Sequence, residues 1–175
     1  VPFENNSIEG SNSVLERDWN RYLEDVFEDC LLNEKELGIL FLDIDHFKQL
    51  NDRYGHGRGD EGICAVADTL KKCFPEDYVA RYGGDEFLVV MTGRDREYAE
   101  EHARQLCMGI RECEIPNEDS SVEPWLTISV GGVCAIPKEP NRVWDFLSAA
   151  DKTLYDQKNE QKGKVRFYVG EGQYL

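Results

Sequence analysis

The chain has 175 residues and a formal charge of −15. That length suits one domain with a sizeable core, and the charge argues against a nucleic-acid or anionic-membrane surface. The sequence contains no apolar run long enough to cross a bilayer and no signal-peptide pattern, so a cytoplasmic domain without direct membrane contact is expected. The chain begins at Val1 without a methionine, which fits a piece of a longer protein with any membrane or sensory part upstream.

In chain order, residues 1–12 are polar and read as a linker, and 13–175 as the domain proper. Leu15, Trp19, Tyr22, Leu23, Val26 and Phe27 recur at helical spacing, which predicts a helix over 14–32. Residues 37–44 form an apolar run, predicted as a buried central strand. A short helix is expected over 46–51, a loop over 55–59, and a helix opened by Asp60 and running to Phe74. Two strands about a Gly-Gly turn follow, with Tyr78-Val79-Ala80 before it and Phe87-Leu88-Val89-Val90-Met91 after it. A helix is expected over 95–111, a loop over 114–124, and a strand over 126–136 interrupted at Gly131-Gly132. A helix over 143–160 and a strand over 165–169 close the chain. Strands mixed with helices predict an α+β fold, a central mixed sheet flanked by helices. None of the six cysteines forms a Cys-x-x-Cys pair, so reduced thiols are expected rather than zinc.

The hairpin tip carries the chemistry. Arg81-Tyr82-Gly83-Gly84-Asp85-Glu86-Phe87 places two adjacent carboxylates on a tight turn. Like charges repel there, and a divalent cation or an acid–base role would offset the cost. Asp43 ends the predicted central strand. A hairpin lying beside that strand would aim Asp43 and Asp85 at one point. A strand-end Asp capping the next helix, and a turn Asp-Glu simply facing water, are the plain alternatives.

Three ordered blocks resemble one family. The hairpin run looks like the signature of the diguanylate cyclase (GGDEF) family. Residues 41–60 contain Asp43-Ile44-Asp45-His46-Phe47-Lys48-Gln49-Leu50-Asn51-Asp52-Arg53-Tyr54-Gly55-His56-Gly57-Arg58-Gly59-Asp60. They are similar to the family pattern D-x-D-x-F-K-x-x-N-D-x-x-G-H-x-x-G-D. Ala150-Asp151-Lys152-Thr153-Leu154-Tyr155-Asp156-Gln157-Lys158 resembles the family's A-D-x-A-L-Y-x-A-K. The likeness runs from about residue 13 to residue 169. It implies a palm-like, ferredoxin-related domain of the kind shared by nucleotide cyclases and some polymerases.

The resemblance also implies the reaction: two GTP condense to cyclic di-GMP, and two pyrophosphates leave. This is a nucleotidyl transfer assisted by magnesium or manganese, two ions per GTP. The implied metal ligands are Asp43, the Ile44 carbonyl, Asp85 and Glu86. Asp85 is also the implied base, with Glu86 as its catalytic neighbour. Phe47, Lys48, Gly83, Gly84, Lys158 and Lys162 are the implied nucleotide contacts, with backbone amides of 45–48 near a helix start suited to phosphate. Asn51 and Asp60 would read guanine, whose N1–H and N2–H₂ suit a carboxylate in a way adenine cannot. His56 stands at a position near the nucleotide, or serves as a loop histidine bonded to backbone. Asp45 is read as the cap of the short helix. Each domain would hold one GTP, so a homodimer brought together by an upstream sensory or dimerisation domain is implied.

The chain departs from the pattern in three places. Ser13 to Arg21 keeps Leu15, Asn20 and Arg21 of the usual D-x-L-T-G-L-x-N-R and loses the rest. The inhibitory product site R-x-x-D reads Phe74-Pro75-Glu76-Asp77, so its arginine is missing and strong product feedback is not expected. Gln161-Lys162-Gly163 replaces the usual G-R-N, keeping a charge while losing the bidentate fork. Two other roles stand beside the active cyclase: a weak or inactive GTP-binding module that regulates a partner, and a cyclic di-GMP receptor.

Overall fold

The computed structural model describes residues 12–170, with side chains described from Trp19 onward. Ten elements follow one another: α1 (Asn12–Leu32), β1 (Leu37–Ile44), α2 (Phe47–Tyr54), α3 (His56–Cys73), β2 (Tyr78–Gly83), β3 (Glu86–Thr92), α4 (Arg96–Glu112), β4 (Ile128–Ala135), α5 (Val143–Glu160) and β5 (Val165–Phe167). The five strands form one sheet in the order β2-β3-β1-β4-β5. β1 pairs antiparallel with β3 and β4, and β4 pairs parallel with β5. The fold is therefore the expected α+β arrangement around a mixed sheet.

β1 is buried along its whole length because both faces of the sheet are covered. Leu40, Leu42 and Ile44 pack on the face that holds α3 and α4, against Ile63, Val66, Leu70, Ala103 and Leu106. Leu37, Ile39 and Phe41 pack on the opposite face, against Leu23 and Phe27 of α1 and Phe146 and Leu154 of α5. The strand period of two assigns alternate residues to the two cores. Each fully buried large apolar side chain contributes roughly 1.5–3 kcal/mol. Continuing that alternation, Asp43 falls on the α1/α5 face.

Several expectations shift by a turn or less. α3 begins at His56 rather than at Asp60, so Asp60 lies in its second turn. Asp95 stands outside α4 as its cap, accepting the Tyr98 N–H at 2.8 Å. Gly131-Gly132 does not interrupt β4, which runs straight through both. A Cβ at Gly131 would lie 2.2 Å from the Leu154 backbone nitrogen. The glycine lets α5 press directly on the sheet. β5 ends at Phe167, two residues early. Residues 1–11 of the expected linker lie outside the described residues. Of the altered Ser13–Arg21 segment, the backbone is helical in α1, and the side chains before Trp19 lie outside as well. All six cysteines are free.

Candidate active site

Strand register builds the site as a row. Asp43 on β1 sits directly opposite Glu86 on β3 and Ser129 on β4. All three fall on the face covered by α5. The hairpin turn then brings Asp85 to the end of β1, where its carbonyl accepts the Ile44 N–H at 3.3 Å. Arg81 holds this turn from inside the hairpin, its Nε and Nη2 donating to the Gly84 carbonyl at 2.9 and 2.6 Å. Gly84 has φ +49°, and a Cβ on Gly83 or Gly84 would meet nothing within 4 Å. The space above both glycines is open.

The charges are crowded. Asp43 is buried, and Lys158 Nζ, reaching down from α5, donates to its Oδ2. Its Oδ1 is buried with no hydrogen-bond partner. Burial pushes the Asp43 carboxyl up to about 6; Lys158 opposes this, and the Asp85 and Asp45 charges add to it. Asp85 is raised chiefly by burial, against its own backbone bond, Lys158 and Arg81. Glu86 is raised by burial and then by Asp85 and Asp151, with Lys158 opposing. Like charges directly across an antiparallel pair are destabilising. Here Lys158 is set against Asp43, Asp85 and Glu86 together.

Such a set fits a divalent cation. An orphaned, buried carboxylate oxygen is costly unless something ligates it. The donors are hard oxygens, which suit magnesium. Among the described residues no group of three or more His, Cys, Asp or Glu side chains is placed to hold a metal ion. A pair of carboxylates with a backbone carbonyl would leave the remaining positions to phosphate oxygens and water.

The nucleotide candidates lie on the two helices that follow β1. Asn51 on α2 packs so closely on Gly59 of α3 that a Cβ there would stand 2.0 Å from Asn51 Oδ1. That Oδ1 is buried and without a partner. Asp60, next to Gly59, is exposed, as is His56 at the start of α3. His56 makes no hydrogen bond to the backbone among the described residues, against the loop-histidine alternative. Phe47 packs on the α3/α4 core and Lys48 is exposed. α2 has no side-chain cap, so its first-turn N–H groups stay open. The Asp45 N–H does not join them, because it donates to the Thr127 carbonyl at 2.9 Å. Lys162, half-buried, occupies the turn between α5 and β5.

Asp45 is not the cap of α2. Its carboxylate is buried and accepts Thr127 Oγ1 at 2.8 Å and Ser129 Oγ at 2.6 Å. The α2 cap position is His46, with φ +54° and its Nε2 2.9 Å from Ser121 Oγ. Short-range spacing favoured the cap; the β4 hydroxyls that claim Asp45 are more than eighty residues away. Ser129 and Arg81 are neighbours of the candidate site that sequence reasoning passed over. Arg81 stood in the quoted hairpin run, but only the turn geometry reveals its partner.

In the Phe74–Asp77 stretch, Phe74 is fully buried and Asp77 accepts the Tyr98 hydroxyl at 3.0 Å. His102 stacks on Tyr98 and lies against Phe74, and Arg94 sits over the Tyr98 ring.

Comparison with known proteins gives the family. Residues 16–164 match the family model described as diguanylate cyclase, GGDEF domain. The chain belongs to that family. It is 33% identical over 150 residues to the probable diguanylate cyclase DgcC of Escherichia coli (strain K12), covering 85% of this chain and 39% of that protein. It is 33% identical over 133 residues to diguanylate cyclase A of Treponema denticola, covering 75% of this chain and 35% of that one. This GGDEF chain therefore spans well under half the length of both relatives. Among solved structures, the active GGEEF domain of a Vibrio cholerae diguanylate cyclase superposes with a TM-score of 0.80 at 22% identity, covering 89% of this chain and 97% of that one. The GGDEF domain of DgcB from Caulobacter crescentus, solved with c-di-GMP, gives 0.77 at 23% identity, covering 87% and 89%. At those identities the structures establish the shared fold. No helix among the described residues is long and apolar enough to cross a membrane.

Proposed function

We propose that this GGDEF domain is an active cyclase that condenses two GTP into cyclic di-GMP and releases two pyrophosphates. The observation that carries the reading is the meeting of Asp43, Asp85 and Glu86 at the β1–hairpin junction, with one Asp43 oxygen buried and unclaimed. The relatives' names as diguanylate cyclases support it.

Asp43, Asp85, the Ile44 carbonyl and Glu86 would hold magnesium or manganese, two ions per GTP. Such ions, when bound, neutralise the triphosphate and favour ionisation of the attacking hydroxyl. Asp85 receives the proton of the 3′-hydroxyl. A metal-bound carboxylate is a weak base, so the ions would supply most of the activation and Asp85 would take the proton they loosen. Lys158 leaves Asp43 for the triphosphate once the carboxylate is otherwise neutralised, and Lys162 adds a second positive charge. The open first turn of α2 and the uncovered Gly83-Gly84 backbone leave room for phosphate oxygens. Asn51 and Asp60 read the guanine edge, His56 lies beside it, and Phe47 and Lys48 shape its approach.

Each domain binds one GTP, so the product forms only where two copies face each other across a two-fold axis. An element outside this domain brings them together. Phe74 closes the inhibitory window, and cyclic di-GMP does not inhibit strongly through it.

The test is product formation from GTP and magnesium, read by chromatography, with the chain fused to a constitutive dimeriser. Cyclic di-GMP from the fusion, and none from the same fusion carrying Asp85→Ala, is the expected result. GTP retained without turnover by a folded, dimeric fusion would replace this reading with a regulatory one.

A further inference from the structure

The turn that carries Lys162 is held by a chain of hydrogen bonds starting at a residue outside the active site. Asp45 Oδ1 accepts the Ser129 hydroxyl at 2.6 Å. Ser129 Oγ in turn accepts the Gly163 N–H at 3.0 Å. The Gly163 carbonyl accepts Arg111 Nη2 at 2.8 Å, and Arg111 Nε is fixed by Glu123 Oε1 at 2.8 Å. One residue on, the Lys164 carbonyl accepts the Val130 N–H at 3.0 Å. Gly163 has φ +74°, and a Cβ there would meet Val122 Cγ1 at 2.8 Å. Lys162, immediately before this clamped pair, forms no ion pair with another described residue.

The direction of these bonds matters. A hydroxyl has one hydrogen to donate and lone pairs to accept with. Ser129 gives its hydrogen to Asp45 Oδ1 and turns a lone pair toward the Gly163 N–H. An amide at position 45 could donate to Oγ instead, freeing the hydroxyl hydrogen to turn toward Gly163 and weaken that bond. Asp45 also takes no cation of its own: its oxygens are both satisfied by hydroxyls, Thr127 on Oδ2 and Ser129 on Oδ1. This leaves Lys162 free of it.

We propose that Asp45 and Ser129 are positioning residues that set the Lys162 turn for the substrate's phosphates through the Gly163 amide. The proposal rests on the reading of Lys162 as a phosphate contact. Gly163 accepts the left-handed backbone of the clamped turn.

The experiment is a double-mutant cycle on this chain. Binding of α,β-methylene GTP with magnesium would be followed by calorimetry for the wild type, Ser129→Ala, Lys162→Ala and the double variant, with exchange of the Gly163 amide followed by NMR. Ser129→Ala should weaken binding roughly three- to tenfold, speed Gly163 exchange, and add nothing in the Lys162→Ala background. Asp45→Asn, of the same size, should act in the same direction and serves if Ser129→Ala does not fold. Effects that multiply in the double variant, or unchanged binding in Ser129→Ala, would overturn the relay while leaving Lys162 as a contact. Unchanged binding in Lys162→Ala alone would overturn the phosphate reading of Lys162, and the proposal with it.

Discussion

Asp43 shows how a single buried carboxylate ties stability to pH. In the metal-free protein burial raises its carboxyl to about 6, against roughly 3.9 in an unfolded chain. The folded state therefore holds the proton more tightly between those values. The stability it contributes is fully present below about pH 4 and is lost as pH rises through 6. Asp43→Asn removes that loss. In chelator, its melting temperature should exceed that of the wild type at pH 7.5, by the equivalent of about 1–3 kcal/mol, and match it at pH 4. A gap that does not change with pH would rule out burial as the cause. Asp85 and Glu86 shift in the same direction, so magnesium should stabilise the wild type more at pH 7.5 than at pH 5. At Asp60 the prediction concerns choice of base. Asp60→Ala should lower GTP affinity and bring GTP and ATP within about tenfold of one another in competition binding, because the site loses the acceptor for guanine's donors.

Between neighbouring elements, two contacts set the site's geometry. The α2–α3 corner has no room beside Asn51. Gly59→Ala should push the Asn51 side chain aside and destabilise the fold by about 1–3 kcal/mol, with GTP affinity falling in step; unchanged affinity would show that Asn51 does not read the nucleotide. The hairpin depends on Arg81. Arg81→Lys keeps a charge near Asp85 but loses the paired donation to Gly84, so turnover by the dimeric fusion should fall at least several-fold while melting changes little. The same contacts mark what the sequence could and could not tell. β1 was legible over its full extent, because eight residues buried on both faces read as one apolar run. α5 was equally plain. The α2 cap, the start of α3 and the continuity of β4 were not. Two of these turn on partners far along the chain: β4 hydroxyls for Asp45 and α5 backbone for Gly131. Asp43, Asp85 and Lys158 were named together only because three separated motifs resembled one pattern; no local spacing links residues 115 positions apart.

At the scale of the whole molecule, charge and strand order both have consequences. Two copies carrying −15 each repel at low ionic strength. Activity of the unfused chain should therefore rise steeply with protein concentration, and moderate salt should raise it further. With Phe74 buried in place of a gripping arginine, added cyclic di-GMP should leave the initial rate of the fusion unchanged, and Asp77→Ala should make no difference to that. The strand order also bears on how the chain comes into being. β1 is made early yet lies at the centre of the sheet, between β3 and β4. During synthesis its hydrophobic residues must wait for Ile128–Ala135 to emerge before both flanks are paired. Asp43 waits longer still, until α5 delivers Lys158. Such distant pairings slow folding. The nascent domain thus carries its central strand with one flank open until β4 emerges, and the acidic centre forms only when α5 has followed.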